Sequence, residues 1–136
     1  MPTSKGTILI PSNSASHLHF VCNDPVFYPN KGKECVLLVN ISSIKKGVSY
    51  DASCILDVGD HPFIIKPSFI YYRMAEIYSI AGIQLQISEG NYFVREDCTD
   101  VVFKNILNGF NLSDEVKFKV LKFYKKHCLG MVNNKA

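Results

Sequence analysis

The sequence is a series of short apolar segments separated by stretches that contain Pro, Gly, Asn or Asp. Several segments alternate polar and apolar residues with a period of two, which is typical of a half-buried β-strand. Short strands with turn signals between them favour a small barrel or sandwich over parallel βαβ units. The predicted strands cover residues 7–10, 17–22, 35–41, 53–56, 63–65, 68–77, 83–88 and 92–94.

The pattern changes to a helical period near residue 99. Thr99 or Asp100 can cap a helix that runs to Asn108, and Gly109 is a stop signal. Ser113 is a natural N-cap for a second helix. We therefore predict a mainly β chain with C-terminal helices, of class α+β. It forms one domain, with a β core over residues 1–95, a helical extension over 96–129 and a flexible tail over 130–136.

Composition indicates a globular chain. Hydrophobic residues make up 47% and charged residues 20% of the 136 residues, enough to bury a core. The formal net charge of +3 permits a polyanionic partner without requiring one. No apolar run approaches the ~20 residues that a bilayer demands, so we predict no membrane span and a cytoplasmic location.

The five cysteines are irregularly spaced and odd in number, which speaks against a zinc site and a disulfide framework. Cys22, Cys35 and Cys54 lie among aliphatic residues and are expected to behave as small buried hydrophobes. The sequence also contains no phosphate-binding glycine loop, nucleophile elbow or metal motif. We predict neither a metal nor another cofactor.

The histidines are the first candidates for chemistry. His17 and His19 stand two residues apart on a predicted strand and so share a face. They could bind a metal or transfer protons, but the pattern favours the simpler explanation that this side of the strand faces solvent. His61 lies in the turn 59–62, where functional groups often collect, but it also fits an ordinary polar turn residue.

Other candidates are cationic, aromatic or hydroxylic. Arg73 follows Tyr71 on a predicted strand and can hold a phosphate, stack on a base, or pair with Glu76. Ser42 and Ser43 end the strand 35–41, where hydroxyls can orient a phosphate or simply form a loop. The second helix carries lysines that indicate either a solvated face or a nucleic-acid contact. These are Lys117, Lys119, Lys122, Lys125 and Lys126.

The order of segments from Gly6 to Ile77 resembles that of the MazF/PemK toxins of bacterial toxin–antitoxin systems. Residues 6–10 resemble the opening glycine and strand of that family, and residues 17–25 resemble its second strand. Residues 35–43 resemble its apolar strand ending in a hydroxyl pair, and residues 45–47 its Lys-Gly loop. Residues 53–56 and 68–75 resemble the two strands that follow. Leu18 stands where the family has its catalytic arginine.

The resemblance implies an SH3-like barrel, a possible homodimer and an antitoxin partner. It also implies metal-independent cleavage of RNA through attack of a 2′-hydroxyl on the adjacent phosphate. The catalytic hydroxyl would fall on Ser42 or Ser43, and His17, His19, His61 or Arg73 would supply the missing cation. Lys45, Lys46, Tyr28 and Tyr71 would contact the RNA. Two other functions remain open: a non-catalytic protein-binding module, and a nucleic-acid-binding protein that uses the lysine-rich helix.

Overall fold

The computed structural model describes residues 2–13 and 15–130 and has a mixed α+β fold. The predicted tail over 130–136 lies outside the described residues from 131 onward. A 3₁₀ turn at Tyr72–Met74 interrupts the chain between the sixth and seventh strands. The other elements, in chain order, are β1 (Thr7–Ser12), β2 (Ala15–Val21), β3 (Val26–Tyr28), β4 (Lys33–Ser43), β5 (Ile55–Leu56), β6 (Ser68–Ile70), β7 (Glu76–Ser79), α1 (Ile80–Ser88), β8 (Phe93–Arg95), α2 (Asp100–Leu112) and α3 (Phe118–His127).

All strand pairings among the described residues are antiparallel, and β4 is the central strand. The hydrogen-bonded order is β5-β6-β4-β2-β1-β8, with β3 and β7 also pairing with β4. No ladder in the described part of the chain joins β5 to β8, so hydrogen bonds leave the sheet open. The α+β class is therefore confirmed, and the prediction of a closed barrel is wrong because β5 and β8 do not pair within the described residues. An SH3-like arrangement of the strands stays a prediction.

The two faces of the sheet bury different sets of side chains. The inner face, which carries Leu18, Phe20, Leu37 and Ile41, packs against α2 and α3. The outer face carries a smaller cluster that packs against α1. Because α2 and α3 supply much of the larger cluster, they belong to the main core and are more than an extension of it. The members of the smaller cluster are Ile8, Ile10, Val21, Val36, Leu38, Ile80 and Ile83.

The strand predicted at 83–88 is wrong, because this segment forms α1. Its apolar residues fit both a period of two and a helical spacing. Ile80 and Ile83 are buried on one side of the helix, while Leu85 is exposed. The Ser79 side chain caps the helix by accepting a hydrogen bond from the amide of Gly82 at 3.1 Å.

The long strand predicted at 68–77 is divided by the 3₁₀ turn. Both β6 and β7 pair with β4, but with different parts of it. The turn between them places Tyr72 in the core, where its hydroxyl donates a 2.7 Å hydrogen bond to the carbonyl of Ile106. A buried tyrosine hydroxyl needs such a partner, so this bond fixes the turn against α2.

Both C-terminal helices differ from their predicted bounds. α2 continues through Gly109 to Leu112, so Gly109 does not stop it. α3 begins at Phe118 and not after Ser113. The Ser113 hydroxyl instead donates a 2.6 Å hydrogen bond to Asp51, which ties the loop between the helices to the loop before β5.

Candidate functional site

Four of the residues predicted for the site line one pocket. His17 comes from β2, Ser42 and Ser43 end β4, and Lys45 follows them in the next loop. The pocket has a volume of about 360 Å³, within the range of small-molecule sites. We call it the β2–β4 pocket. Its remaining lining residues are Ala15, Ser16, Leu18, Ile41, Phe63, Ile64, Ile65, Lys66 and Ser68.

The pocket lies where β2 and β4 separate. Their ladder runs from Val21↔Leu38 to His19↔Asn40 and includes no pair beyond these. From Ile41 onward, β4 pairs with β6 on its other side. The first residues of β2 and the last residues of β4 thus form the two walls of a cleft, and the segment from Phe63 to Lys66 completes it.

Strand alternation assigns the polar side chains to two faces. His17 shares the outer face with His19, because they are two residues apart on β2. Asn40 is paired with His19, so Ser42 lies on that face as well. Ser43 lies on the inner face with its ladder partner Ser68. The two serines therefore cannot act in the same way.

The lining of the pocket favours an anion. Lys45 and Lys66 contribute positive charge, and none of its lining residues is Asp or Glu. Within the described residues, neither lysine has a carboxylate partner within 4.0 Å. Four serines add hydroxyl groups that can donate hydrogen bonds. A phosphate group matches this set of lysines and hydroxyls.

His61 lies outside the pocket and is only 2% exposed. Its Nδ1 accepts a 3.0 Å hydrogen bond from the amide of Phe63, so the proton is on Nε2. Nε2 donates to the carbonyl oxygen of Glu96 at 2.7 Å and lies 3.3 Å from the Thr7 hydroxyl. In this arrangement His61 anchors the start of the segment that lines the pocket.

His19 is also outside the pocket. Its Nδ1 donates to the carbonyl of His17 at 3.0 Å, and its ring meets the Tyr78 ring edge-on. Burial lowers the pKa of His19 to about 4, so the ring is neutral at pH 7. A neutral, enclosed imidazole fits a packing role better than that of a cation.

Arg73 and Tyr71 belong to another, smaller pocket of about 210 Å³. The guanidinium donates a 2.8 Å hydrogen bond to the Tyr71 hydroxyl, and Phe69 and Tyr50 extend the aromatic surface. Phe69 is the ladder partner of Ser42, so this surface adjoins the outer face of β4. Tyr28 lies elsewhere, against Phe123 of α3, and Lys46 is exposed and does not line the β2–β4 pocket.

Lys66, Ser16 and Ser68 were missed by sequence reasoning. Ser68 lines the pocket because it pairs with Ser43 in the β4–β6 ladder. Lys66 lines it because the segment before β6 passes alongside. Neither placement could be predicted from the neighbouring sequence. The cysteines behave as expected. All five are free and buried, and burial raises the pKa of Cys54 and Cys98 to about 11.

Neither a family model, nor a curated protein sequence, nor a solved structure matches this chain. Among the described residues, no three side chains of His, Cys, Asp and Glu are grouped so that they could hold a metal ion. Over the same residues, no helix has the length and apolar character needed to cross a bilayer.

Proposed function

We propose that this protein is an RNA endonuclease of the MazF/PemK type, acting as the toxin of a toxin–antitoxin pair. The observation that carries the proposal is the meeting of His17, Ser42, Ser43 and Lys45 at one pocket without a lining carboxylate. His17 is more than twenty positions away from Ser42, Ser43 and Lys45 in the sequence. An SH3-like arrangement of the strands is part of the same proposal.

In the proposed reaction, the RNA 2′-hydroxyl attacks the adjacent phosphorus. A bond forms between O2′ and phosphorus while the bond to O5′ breaks, which leaves a 2′,3′-cyclic phosphate and a free 5′-hydroxyl. His17 takes the proton of the 2′-hydroxyl as general base, and the departing O5′ receives a proton from the resulting imidazolium or from water. Ser42 donates to a phosphate oxygen, and Lys45 and Lys66 stabilise the charge that develops on the phosphorane.

The test is cleavage of a single-stranded RNA by the purified protein. We expect His17→Ala to lower the rate at least 100-fold, because proton transfer contributes roughly that factor. Lys45→Ala and Lys46→Ala form a matched pair, since only Lys45 lines the pocket. A DNA strand of the same sequence must resist cleavage, because it has no 2′-hydroxyl. Intact RNA, or equal losses in the two lysine variants, would contradict the proposal.

The toxin proposal includes a homodimer and an antitoxin partner. Its support is the exposed apolar surface near the pocket, where Ile65 is 80% exposed and lines the rim. Val48 and Val58 are also exposed apolar residues. Molar mass by light scattering tests the dimer. Growth arrest on expression, relieved by a small acidic protein encoded beside the gene, tests the pairing.

A non-catalytic protein-binding module is the second candidate. The observation that favours it is Leu18, which stands at the position of the family's arginine and is 0% exposed. A leucine packed in the core cannot be replaced by a cation without disrupting that core. Stable capture of a protein partner together with unchanged RNA would favour this module over the nuclease.

A further inference from the structure

Another groove runs along α3 and shares none of its described lining residues with the β2–β4 pocket. One wall is the turn at residues 28–30, and the other is formed by Phe118, Lys119, Lys122 and Lys126. The groove has a volume of about 310 Å³, and none of the described residues that line it is Asp or Glu. We call it the α3 groove.

The lysines follow the groove along one face of the helix. Positions 119, 122 and 126 are spaced three and four residues apart, so their side chains lie on the same side. With a rise of 1.5 Å per residue, the row spans roughly 10 Å. Lys119 already lies 3.3 Å from a Glu76 oxygen. Within the described residues, Lys122 and Lys126 have no carboxylate within 4.0 Å and are available to a ligand.

An exposed aromatic ring stands at the start of this row. Phe118 is 76% exposed, and the Lys122 amino group lies 5.4 Å from its ring centroid. A phenylalanine this exposed does little for the core. It offers a flat surface beside positive charge, which is the combination that single-stranded nucleic acids use.

The floor of the groove is packed into the core. Phe123 is buried and packs edge-on against Tyr28 at 5.3 Å between ring centroids. The His127 ring lies 4.7 Å from the Phe123 ring. Val120 and Tyr124 fix the same helix into the core. A ligand would therefore meet lysines that are already aligned.

We propose that the α3 groove binds a single strand of nucleic acid, with phosphates along Lys122 and Lys126 and a base stacked on Phe118. An acidic peptide is the competing occupant. Lysine ammonium groups attract carboxylates and phosphates alike, so the exposed Phe118 ring decides between the two occupants: it offers a surface on which a base can stack. Binding here does not rest on cleavage at the β2–β4 pocket.

The test uses fluorescence anisotropy with labelled oligo-dT, which cannot be cleaved through a 2′-hydroxyl. We expect the Lys122→Ala/Lys126→Ala double variant to bind at least 10-fold more weakly. Its log–log salt slope should fall in magnitude by about 1.4, since each phosphate contact on a single strand contributes about 0.7. Phe118→Ala should cost about 5-fold or more, the low end of base stacking.

The matched control is Lys104→Ala/Lys125→Ala, which removes the same charge from exposed positions outside the groove. It should keep most of the affinity. An equal loss in both double variants, or no loss in Phe118→Ala, would overturn the proposal. So would competition by oligo-glutamate at the same concentration as unlabelled oligo-dT. Binding of RNA is measured with labelled oligo-U and the His17→Ala protein, which should not cleave it. Weaker binding of oligo-U in the Lys122→Ala/Lys126→Ala background is expected as well.

Discussion

Tyr72 and Gly109 are in direct contact: a Cβ at residue 109 would overlap the Tyr72 hydroxyl. The glycine lets the Tyr72 ring lie against α2 and reach the carbonyl of Ile106 at 2.7 Å. Residue 109 is helical, so its glycine is required by this approach and not by the backbone conformation.

Gly109→Ala is therefore expected to destabilise the fold by roughly 1–3 kcal/mol, the usual cost of overpacking a core. Alanine gains about 1 kcal/mol in a helix interior, but displacing the Tyr72 ring also loses its hydrogen bond to Ile106, worth about 1 kcal/mol, so these two effects offset each other. Urea denaturation measures the difference. Asn108→Ala, one residue earlier on the exposed side, is the control and should change the free energy of unfolding by less than about 0.5 kcal/mol. A more stable Gly109→Ala protein would disprove the contact.

His61→Ala is expected to lower the free energy of unfolding by about 2–4 kcal/mol. The substitution leaves the amide of Phe63 without its partner, at a cost of about 1–3 kcal/mol, and removes one of the two hydrogen bonds to the Glu96 carbonyl, worth about 1 kcal/mol, since the Thr7 hydroxyl still donates to it. Thermal unfolding and urea denaturation both report it. If the variant keeps its stability yet loses RNA cleavage, His61 acts in the reaction and not as an anchor.

Acidification should destabilise the protein through His19. Burial lowers the pKa of this ring to about 4 in the folded state, against about 6.5 in an unfolded chain. Between these values the unfolded state binds more protons, so stability rises with pH up to about 6.5 and then levels off. The difference between these two pKa values corresponds to at most about 3 kcal/mol in the free energy of unfolding.

Urea denaturation at pH 5 and pH 7.5 measures this effect. His127, whose pKa is also lowered by burial and by Lys126, contributes in the same direction. We therefore compare His19→Gln with His127→Gln. The His19 variant should show the flatter dependence on pH. An unchanged dependence in His19→Gln would mean that the ring binds its proton as readily in the folded protein as in the unfolded chain.

The sequence was sufficient for the strands whose pattern has one interpretation. Residues 17–20 alternate polar and apolar within the predicted strand 17–22, and β2 covers nearly the same range. Residues 83–88 alternate too, yet Ile80 and Ile83 also fit one face of a helix. A window this short cannot separate the two periods. The capping hydroxyl of Ser79 and the apolar outer face of β4 decide in favour of the helix.

The same distinction applies to the candidate site. His17, Ser42 and Ser43 were predictable because each occupies the end of a recognisable strand. The anchoring role of His61 was not, because Thr7 and Glu96 are 54 and 35 residues away in sequence. These contacts of His61 depend on the pairing of β1 with β8, which cannot be predicted from the sequence around any one of the three residues.

Ser42 and Ser43 give a sharp test of the proposed active site, because they lie on opposite faces of β4. Ser42 shares its face with His17, whereas Ser43 is paired with Ser68. Ser42→Ala should lower RNA cleavage at least 10-fold, and Ser43→Ala less than about 3-fold, since one well-placed donor is worth 10-fold or more. Both are measured under single-turnover conditions. The reverse order would move the reaction to the inner face.

Glu76 links the sheet to the α3 groove. Burial alone would raise the pKa of its carboxyl. Hydrogen bonds from Lys117 and Lys119 together outweigh burial, so the pKa lies below its usual value. The carboxylate therefore stays charged at pH 7 and holds Lys117 at 2.6 Å and Lys119 at 3.3 Å. While it does so, Lys119 is only partly available to a ligand in the groove.

Glu76→Gln should therefore increase the affinity of the α3 groove for oligo-dT at least twofold. It removes a negative charge close to the groove and releases Lys119 toward the phosphates. Anisotropy titration at low salt gives the largest difference, because exposed charges are screened within about 10 Å at 0.1 M salt. The gain should disappear in Glu76→Gln/Lys119→Ala. If the gain persists without Lys119, the carboxylate acts through net charge alone and Lys119 takes no part in binding.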